Sequence, residues 1–329
     1  MNILFVYRDK HSIKQNFKSV FKKNLCNLDF GFFLLSLKSF SNVTTASLPE
    51  LLSFKDLTCF DHIIIDTKIS LDYYEDKYLP VLQNNIKCQT SLFVGYDRVF
   101  NYKDVKNFEK YLKIKQYFVP NLLDDLNLYK LSYDLETKLF STYYGMGFLN
   151  INYNLKNKKF SHSSYKEEKK YDLSYCGQIN DTKPERANVI NYLEKQELDF
   201  TNKIILFDKA NQNQKKLTAN DYVKLIDESK INLVLSGNHN NIPYKLYEVL
   251  FLKSFFLIDK HFLKYEVSRN FRKVENFVFH SNYDLIDKIN FFLSNNDELE
   301  KTRIQINKSF IKFYDPIKHG KLISNALLN

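Results

Sequence analysis

Apolar positions along this chain fall into short runs that alternate with stretches of helical spacing. Asn2–Tyr7 (NILFVY), Phe32–Leu37, His62–Asp66, Thr90–Val94 and Tyr117–Pro120 are continuous enough to read as buried strands. Ser12–Asn27 places Ile13, Phe17, Val20, Phe21 and Leu25 on one helical face and Lys14, Lys18, Lys22 and Lys23 on the other. Leu48–Phe54, Tyr74–Asn85 and Val105–Leu112 also read as helices. A second series opens with the strand Asp172–Cys176, which ends in Gly177, and continues with a helix begun by Pro184 and reaching Leu193. It then runs through strand Lys203–Phe207, helix Asn220–Ser229, strand Ile231–Leu235, helix Tyr244–Leu252 and strands Phe255–Ile258 and Phe277–Phe279. Helices Tyr283–Leu293 and Glu298–Phe313 close it. Strand–helix alternation of this kind predicts an α/β protein with parallel sheets covered on both faces.

Between the two series, residues 150–171 are polar, rich in lysine and almost free of aliphatic side chains. With 329 residues to distribute, two domains are expected. They are an N-terminal domain over 1–150 and a C-terminal domain over 171–313, joined by a linker at 151–170. A tail over 314–329 is expected to pack back on the first domain.

Charge and cysteine usage narrow the classes. The net charge is +10, spread over both halves of the chain, and no zinc-finger or RNP pattern accompanies it, so no nucleic-acid partner is expected. Such a surface suits anionic substrates or an anionic membrane leaflet, which the lysine-rich Ser12–Asn27 helix is placed to touch peripherally. Cysteines 26, 59, 88 and 176 form no CxxC pair and have apolar neighbours, and they read as buried free thiols in a reducing cytoplasm. The first residues do not form a signal peptide, and no apolar run reaches the length of a membrane span.

The segment Ser229–Asp259 carries the most chemistry. It is a βαβ unit whose polar loop, Ser236–Pro243, holds Gly237, Asn238 and His239. In such a unit ligands settle at the carboxyl ends of the strands, and the helix N-terminus favours anions. On the following helix, Lys245 and Glu248 are three residues apart and share a face.

The order of motifs over residues 171–313 resembles nucleotide-sugar glycosyltransferases of the GT-B fold, in particular the group-1 and spore-maturation-protein-like branches. The resemblance is carried by a strand ending in glycine before an arginine that opens a helix (YDLSYCGQINDTKPERANVINYL), then by YVKLIDESKINLVL, YKLYEVLFLKSFFLID and FVFHSNYDLIDKINFFL. It implies two Rossmann-like β/α/β domains facing across a cleft, with the donor nucleotide on the second. In that likeness Glu248 takes the ribose hydroxyls, Lys245 neutralises the departing diphosphate, and Gly177 lets backbone approach it beside Arg186. Lys230, Gly237, Asn238, His239 and Tyr244 complete the donor set. A general base on the first domain is sought among Asp9, His11, Asp66 and Asp97, all at the ends of predicted strands. No Asp-x-Asp occurs, so no metal and no resident cofactor are expected, only a UDP- or GDP-linked sugar as co-substrate. The acceptor is expected to be a surface polysaccharide, a lipid-linked glycan or a protein. Lysine at 245 instead of the family's usual arginine, and Leu252–Ser254 instead of small residues with glycine, leave a second reading open. That reading is a non-catalytic nucleotide- or sugar-binding module on a decayed GT-B fold.

Overall fold

The computed structural model describes residues 1–7, 30–51, 53–54, 56–66, 88–94, 108–109, 112–121, 138–143, 153–154, 159–160, 168–179, 184–196, 199–207, 217–237 and 241–328. The chain divides into two compact units. The first comprises Met1–Gly145, Asn150–Ser161 and Tyr314–Asn329; the second comprises Met146–Leu149 and His162–Phe313.

Unit 1 is built on a six-stranded sheet ordered β2-β1-β3-β4-β5-β6, in which every pairing is parallel. Its strands are β1 (Asn2–Tyr7), β2 (Asn42–Ser47), β3 (His62–Asp66), β4 (Gln89–Phe93), β5 (Ile114–Pro120) and β6 (Lys138–Thr142). Alternation along β1 sorts the core onto two faces. Leu4 and Val6 join Ile63, Ile65, Leu92 and Val119 on one face. Ile3, Phe5 and Tyr7 join Ile64, Phe93, Phe118 and the helix side chains Phe33, Leu34 and Leu37 on the other.

The segment expected as a strand at Phe32–Leu37 is instead helix α1 (Gly31–Lys38), and the second strand falls later, at Asn42–Ser47. The physical reason is burial on all sides. Gly31 through Leu37 are all buried, so the run has no polar face to reveal its period, and a short apolar run reads equally as strand or helix. β2, by contrast, is a half-exposed edge strand of small polar residues (NVTTAS) that carries little apolar signal. A short helix, α2 (Leu48–Leu51), follows it.

The C-terminal helix, Pro316–Leu328, packs on α1 and places Ile323 and Leu327 in the same core. Close approach of the two helices requires Gly320, where a Cβ would run into the Ser36 carbonyl and the Ser39 hydroxyl. One residue earlier His319 is enclosed by the rings of Phe32, Phe140 and Tyr143, and its Nε2 meets Thr142 Oγ1 at 3.0 Å. Within the polar stretch expected to be an exposed connection, β7 (Tyr153–Asn154) and β8 (Lys159–Phe160) form an antiparallel pair.

Unit 2 holds a five-stranded parallel sheet ordered β10-β9-β11-β12-β13. Its strands are β9 (Tyr171–Gln178), β10 (Asn202–Phe207), β11 (Ser229–Val234), β12 (Phe255–Asp259) and β13 (Val278–Phe279). Its helices are α3 (Pro184–Lys195), α4 (Ala219–Asp227), α5 (Tyr244–Phe251), α6 (Asn282–Ser294) and α7 (Asn296–Phe313). All stand within two or three residues of their expected places. Local capping explains part of that legibility: Thr218 accepts from Asp221 N to begin α4, and Ser281 accepts from Asp284 N to begin α6. The core position Asn232 fixes strand register with a satisfied polar network. It accepts from Ser174 Oγ at 3.0 Å and donates to the carbonyls of Ile226 and Phe255.

Three single-turn 3-10 segments between Lys260 and Asn276 were not foreseen. Of the cysteines read as buried, Cys176 is so, Cys88 is half-buried and Cys59 is exposed; Cys26 lies outside the described residues, as do the Ser12–Asn27 and Tyr74–Asn85 segments. Among the described residues no helix is long and apolar enough to cross a membrane.

Unit 1 carries two histidines held neutral by burial. His62 is brought down to about 4 by burial, with Lys115 adding to the effect, and His319 to about 3 by burial alone. Their folded values lie below the ordinary ~6.5, so the unfolded chain binds protons that the folded chain does not. Unit 1 is expected to keep its full stability above pH 6.5 and to lose it progressively as pH falls toward 4. Thermal melts at pH 7 and pH 5 check this, and the slope should flatten in His319→Phe.

Candidate functional site

The carboxyl ends of β9, β11, β12 and β13 lie along one edge of the parallel unit 2 sheet. In the order β10-β9-β11-β12-β13 the progression of strands reverses between β9 and β11. Open α/β sheets take their ligands at such a reversal.

Arg186 occupies this position. It sits on the third residue of α3 and is buried. Its Nη1 donates to the Gln178 carbonyl at 3.0 Å, its Nη2 to the carbonyls of Leu235 and Ser236 at 2.9 and 2.7 Å, and its Nε to Ser236 O at 3.2 Å. One guanidinium therefore clamps the end of β9 to the end of β11. The planar fork of arginine makes this possible, and lysine would not reproduce it. Four of its five N–H groups are committed to backbone carbonyls, while its positive charge stays at the crevice.

The loop after β11 is tied from its other side. Ser236 donates its N–H (2.5 Å) and its hydroxyl (2.7 Å) to the carboxylate of Asp259, which also accepts from the His261 N–H. Gly237 N–H reaches Asn241 O at 2.6 Å and closes the loop. Asn238 and His239, between them, lie outside the described residues.

Gly177 has a different reason to be glycine from the one expected. A Cβ there would collide with the Tyr175 hydroxyl and stand 2.8 Å from Tyr175 Cζ. The missing side chain accommodates the phenol ring two residues earlier on the same strand face. Lys230 corrects another expectation. It is the second residue of β11, so it stands at the amino end of the strand, roughly 20 Å along the chain from Ser236 at the usual rise per residue. There its Nζ pairs with Asp172 at 2.7 Å, away from the edge where ligands bind.

Lys245 and Glu248 do share a face of α5, and that face points inward. Lys245 Nζ donates to the Leu233 carbonyl at 3.0 Å and lies 4.9 Å from the centroid of the Tyr175 ring. Burial brings its ammonium down to about 8. Glu248 is 1% exposed and accepts a 2.5 Å hydrogen bond from the Tyr222 hydroxyl on α4. Burial, reinforced by the Glu248 carboxylate, pushes that phenol well above its ordinary value. Burial likewise raises the neighbouring Cys176 thiol to about 11. Tyr222 was missed by sequence reasoning. The available signal was its phase on α4, where Tyr222, Leu225 and Ile226 recur at helical spacing on the buried side. Tyr244, half-buried, opens α5.

A cavity of about 640 Å³ opens at the same edge, on the β12–β13 side of Arg186. Arg186, Ser236, Gly237 and Asp259 form part of its wall, as do Glu185 and His261, which pair through Oε2 and Nε2. Arg186 and Gly237 are thus the expected donor residues that reach the cavity. Half-buried Lys245 and buried Glu248 form a separate group on α5. On unit 1, Asp66 ends β3 and is buried, while Asp9, His11 and Asp97 lie outside the described residues. Among the described residues no group of three metal-ligating side chains is placed to hold an ion.

Two parallel-sheet Rossmann-like units, with a strand-order reversal bearing a buried arginine, define the GT-B class of fold. Residues 186–315 match the family model described as glycosyl transferase-like. The fold is similar, over 100% of both chains, to a DNA-modifying β-glucosyltransferase (TM-score 0.63, 13% identity). It is also similar, over 99% of both chains, to T4 phage BGT solved with its UDP-glucose substrate (TM-score 0.60, 14% identity). Anabaena HepE, solved in complex with UDP and glucose, matches with a TM-score of 0.58 at 9% identity, over 100% of this chain and 99% of its own. At these identities the likeness establishes the fold. No curated protein sequence matches the chain.

The half-buried Lys245 makes a stability prediction. Its folded value, about 8, is below the ordinary 10.5, so between these limits the unfolded chain holds the extra proton and stability rises with pH. Relative to Lys245→Met, the wild type should gain stability from pH 8 to pH 10. Denaturant titrations of both proteins across that range check it, and parallel curves would refute it.

Proposed function

We propose that the protein is a glycosyltransferase that moves a hexosyl group from a nucleoside-diphosphate sugar to a hydroxyl-bearing acceptor. The observation that carries this reading is the β9/β11 reversal, where Arg186 joins the carboxyl ends of the two strands within the segment matching the glycosyl transferase-like family. Two of the solved structures of similar fold bear UDP or a UDP-sugar, which favours uridine over guanosine in the donor.

In this reading the diphosphate lies beside Arg186 and Lys245. Negative charge grows on it as the glycosidic bond breaks, and fixed cations in a water-poor crevice stabilise that charge more than they stabilise the bound ground state. The two cations take the part a metal plays elsewhere, so transfer is metal-independent. Glu248 accepts from the ribose hydroxyls after Tyr222 releases it, one O–H donor replacing another at the same carboxylate oxygen. A carboxylate or imidazole of unit 1, among Asp66, Asp97 and His11, takes the acceptor proton. The acceptor is a surface polysaccharide, a glycolipid or a glycoprotein, reached in the cytoplasm or at the inner face of the membrane.

A second reading, with nucleic acid as acceptor, is favoured by the net charge of +10 together with the likeness to a DNA-modifying enzyme. Binding to DNA that weakens steeply with salt supports it, and a flat salt titration removes it.

UDP is expected to raise the melting temperature of the wild type. Glu248→Gln should weaken UDP binding by about 1.5–3 kcal/mol, the worth of a hydrogen bond to a charged group. Lys245→Met should lower turnover about 100-fold or more with a smaller change in UDP affinity. Isothermal titration and donor-hydrolysis assays measure both, with a chelator arm expected to leave turnover unchanged. Full turnover in both variants would overturn the assignment.

A further inference from the structure

The outward stripe of α7 carries side chains that neither the helix nor the core accounts for. Leu299, Thr302, Ile306 and Phe310 face inward and are buried. On the other side Asp297, Lys301, Ile304, Lys308, Ile311 and Lys312 are exposed, Ile304 to 43% and Ile311 to 62%. The two isoleucines are seven residues apart, so they share one side of the helix at a separation of about 10 Å. A β-branched residue is a mediocre helix former, so helix propensity gives no reason for isoleucine at a solvated position. Lys301 pairs with Glu298 at 2.8 Å, whereas Lys308 and Lys312 make no hydrogen bond or ion pair with any described residue. Further positive charge lies at the end of the helix. The Phe271 and Phe313 rings meet edge to face at 5.4 Å, which brings the exposed Arg272 and Lys273, also without a partner among the described residues, to the last turn of α7. The exposed acid Glu266 stands on the 3-10 segment packed against α7 and leaves this corner net positive.

We propose that this face of unit 2 docks on an anionic lipid bilayer, with Ile304 and Ile311 entering the edge of the acyl region and Lys308, Lys312, Arg272 and Lys273 lying among the headgroup phosphates. The interleaving of the two kinds of residue selects this partner. Flexible lysine stems bend so that the ammonium stays at headgroup level while the isoleucines beside them go deeper. Each basic side chain near a leaflet of acidic lipid adds attraction, and each isoleucine that enters it adds apolar area removed from water. A nucleic-acid surface would use the cations and leave the isoleucines in water. The core of a protein–protein interface is depleted in lysine, and here lysine alternates with isoleucine through the centre of the stripe. None of these residues belongs to the Lys245–Glu248 group or to the cavity wall beside Arg186, so the inference stands independently of the glycosyltransferase reading. It also names a different surface from the lysine-rich Ser12–Asn27 segment, which lies outside the described residues.

Co-sedimentation of the full chain with vesicles tests this in the absence of nucleotide and sugar. Phosphatidylcholine vesicles holding about 30% phosphatidylglycerol are compared with pure phosphatidylcholine at low and high salt. Affinity for the anionic vesicles is expected to exceed that for the neutral ones about tenfold or more, and to fall as salt screens the charges. Lys308→Gln/Lys312→Gln should lower it about tenfold and flatten the salt dependence. Ile304→Ser/Ile311→Ser should also lower it about tenfold while leaving the salt dependence in place, a split that general loss of structure would not give. All four positions are exposed, so both double variants are expected to fold, which their melting curves verify. Failure of the wild type to sediment with anionic vesicles overturns the inference, as does unchanged affinity in either double variant. Salt-sensitive binding to duplex DNA that is lost in the lysine variant and kept in the isoleucine variant, without vesicle binding, overturns it in favour of nucleic acid. Binding of UDP, read from its own melting shift, reports separately on the glycosyltransferase reading.

Discussion

The donors of one guanidinium hold the carboxyl edge of unit 2 together. Arg186 reaches the carbonyls of Gln178, Leu235 and Ser236, and so joins the two strands between which the sheet order reverses. Strand ends leave carbonyls without ladder partners, and a buried carbonyl that lacks a donor is costly. Arg186 satisfies three of them with one rigid planar group. A cation buried among carbonyls is itself stable only because each N–H it uses is paired. Ser236, just after β11, is held by Arg186 on one side and by Asp259 on the other. Everything at this edge, including the cavity and the approach to α5, inherits its geometry from that anchoring.

The α5 group shows how burial changes the role of a side chain. Lys245 and Glu248 are spaced as a ligand-binding pair, and the fold turns them inward against Tyr175 and Tyr222. Each has a partner there: a carbonyl and an aromatic face for Lys245, and a phenol hydroxyl for Glu248. A group held this way is positioned in advance, and the cost of ordering it is met during folding instead of during binding.

Unit 1 depends on a different constraint, which is close helix packing over a twisted parallel sheet. Its C-terminal helix is the last element of the chain, yet it lies on α1 near the first strand, and Gly320 and the enclosed His319 set how near it comes. A neutral imidazole among three aromatic rings fills space that a charged side chain could not occupy without a partner.

The sequence by itself determined the class of the fold and the order of elements in unit 2. There the strands are continuous apolar runs, the helices begin at Pro184, Thr218 and Ser281 with recognisable start signals, and period and cap agree. It also marked Arg186 and Gly237 as belonging to one edge. Only the tertiary structure decided that Gly31–Lys38 is a helix, because a segment buried on all sides carries no periodic contrast. Only the structure showed that Gly177 makes room for Tyr175, that Lys230 faces the wrong end of the sheet, and that Glu248 is met by Tyr222. Spacing along a helix or strand tells which residues share a face. What that face meets is set by elements distant in sequence, whose packing no local pattern records.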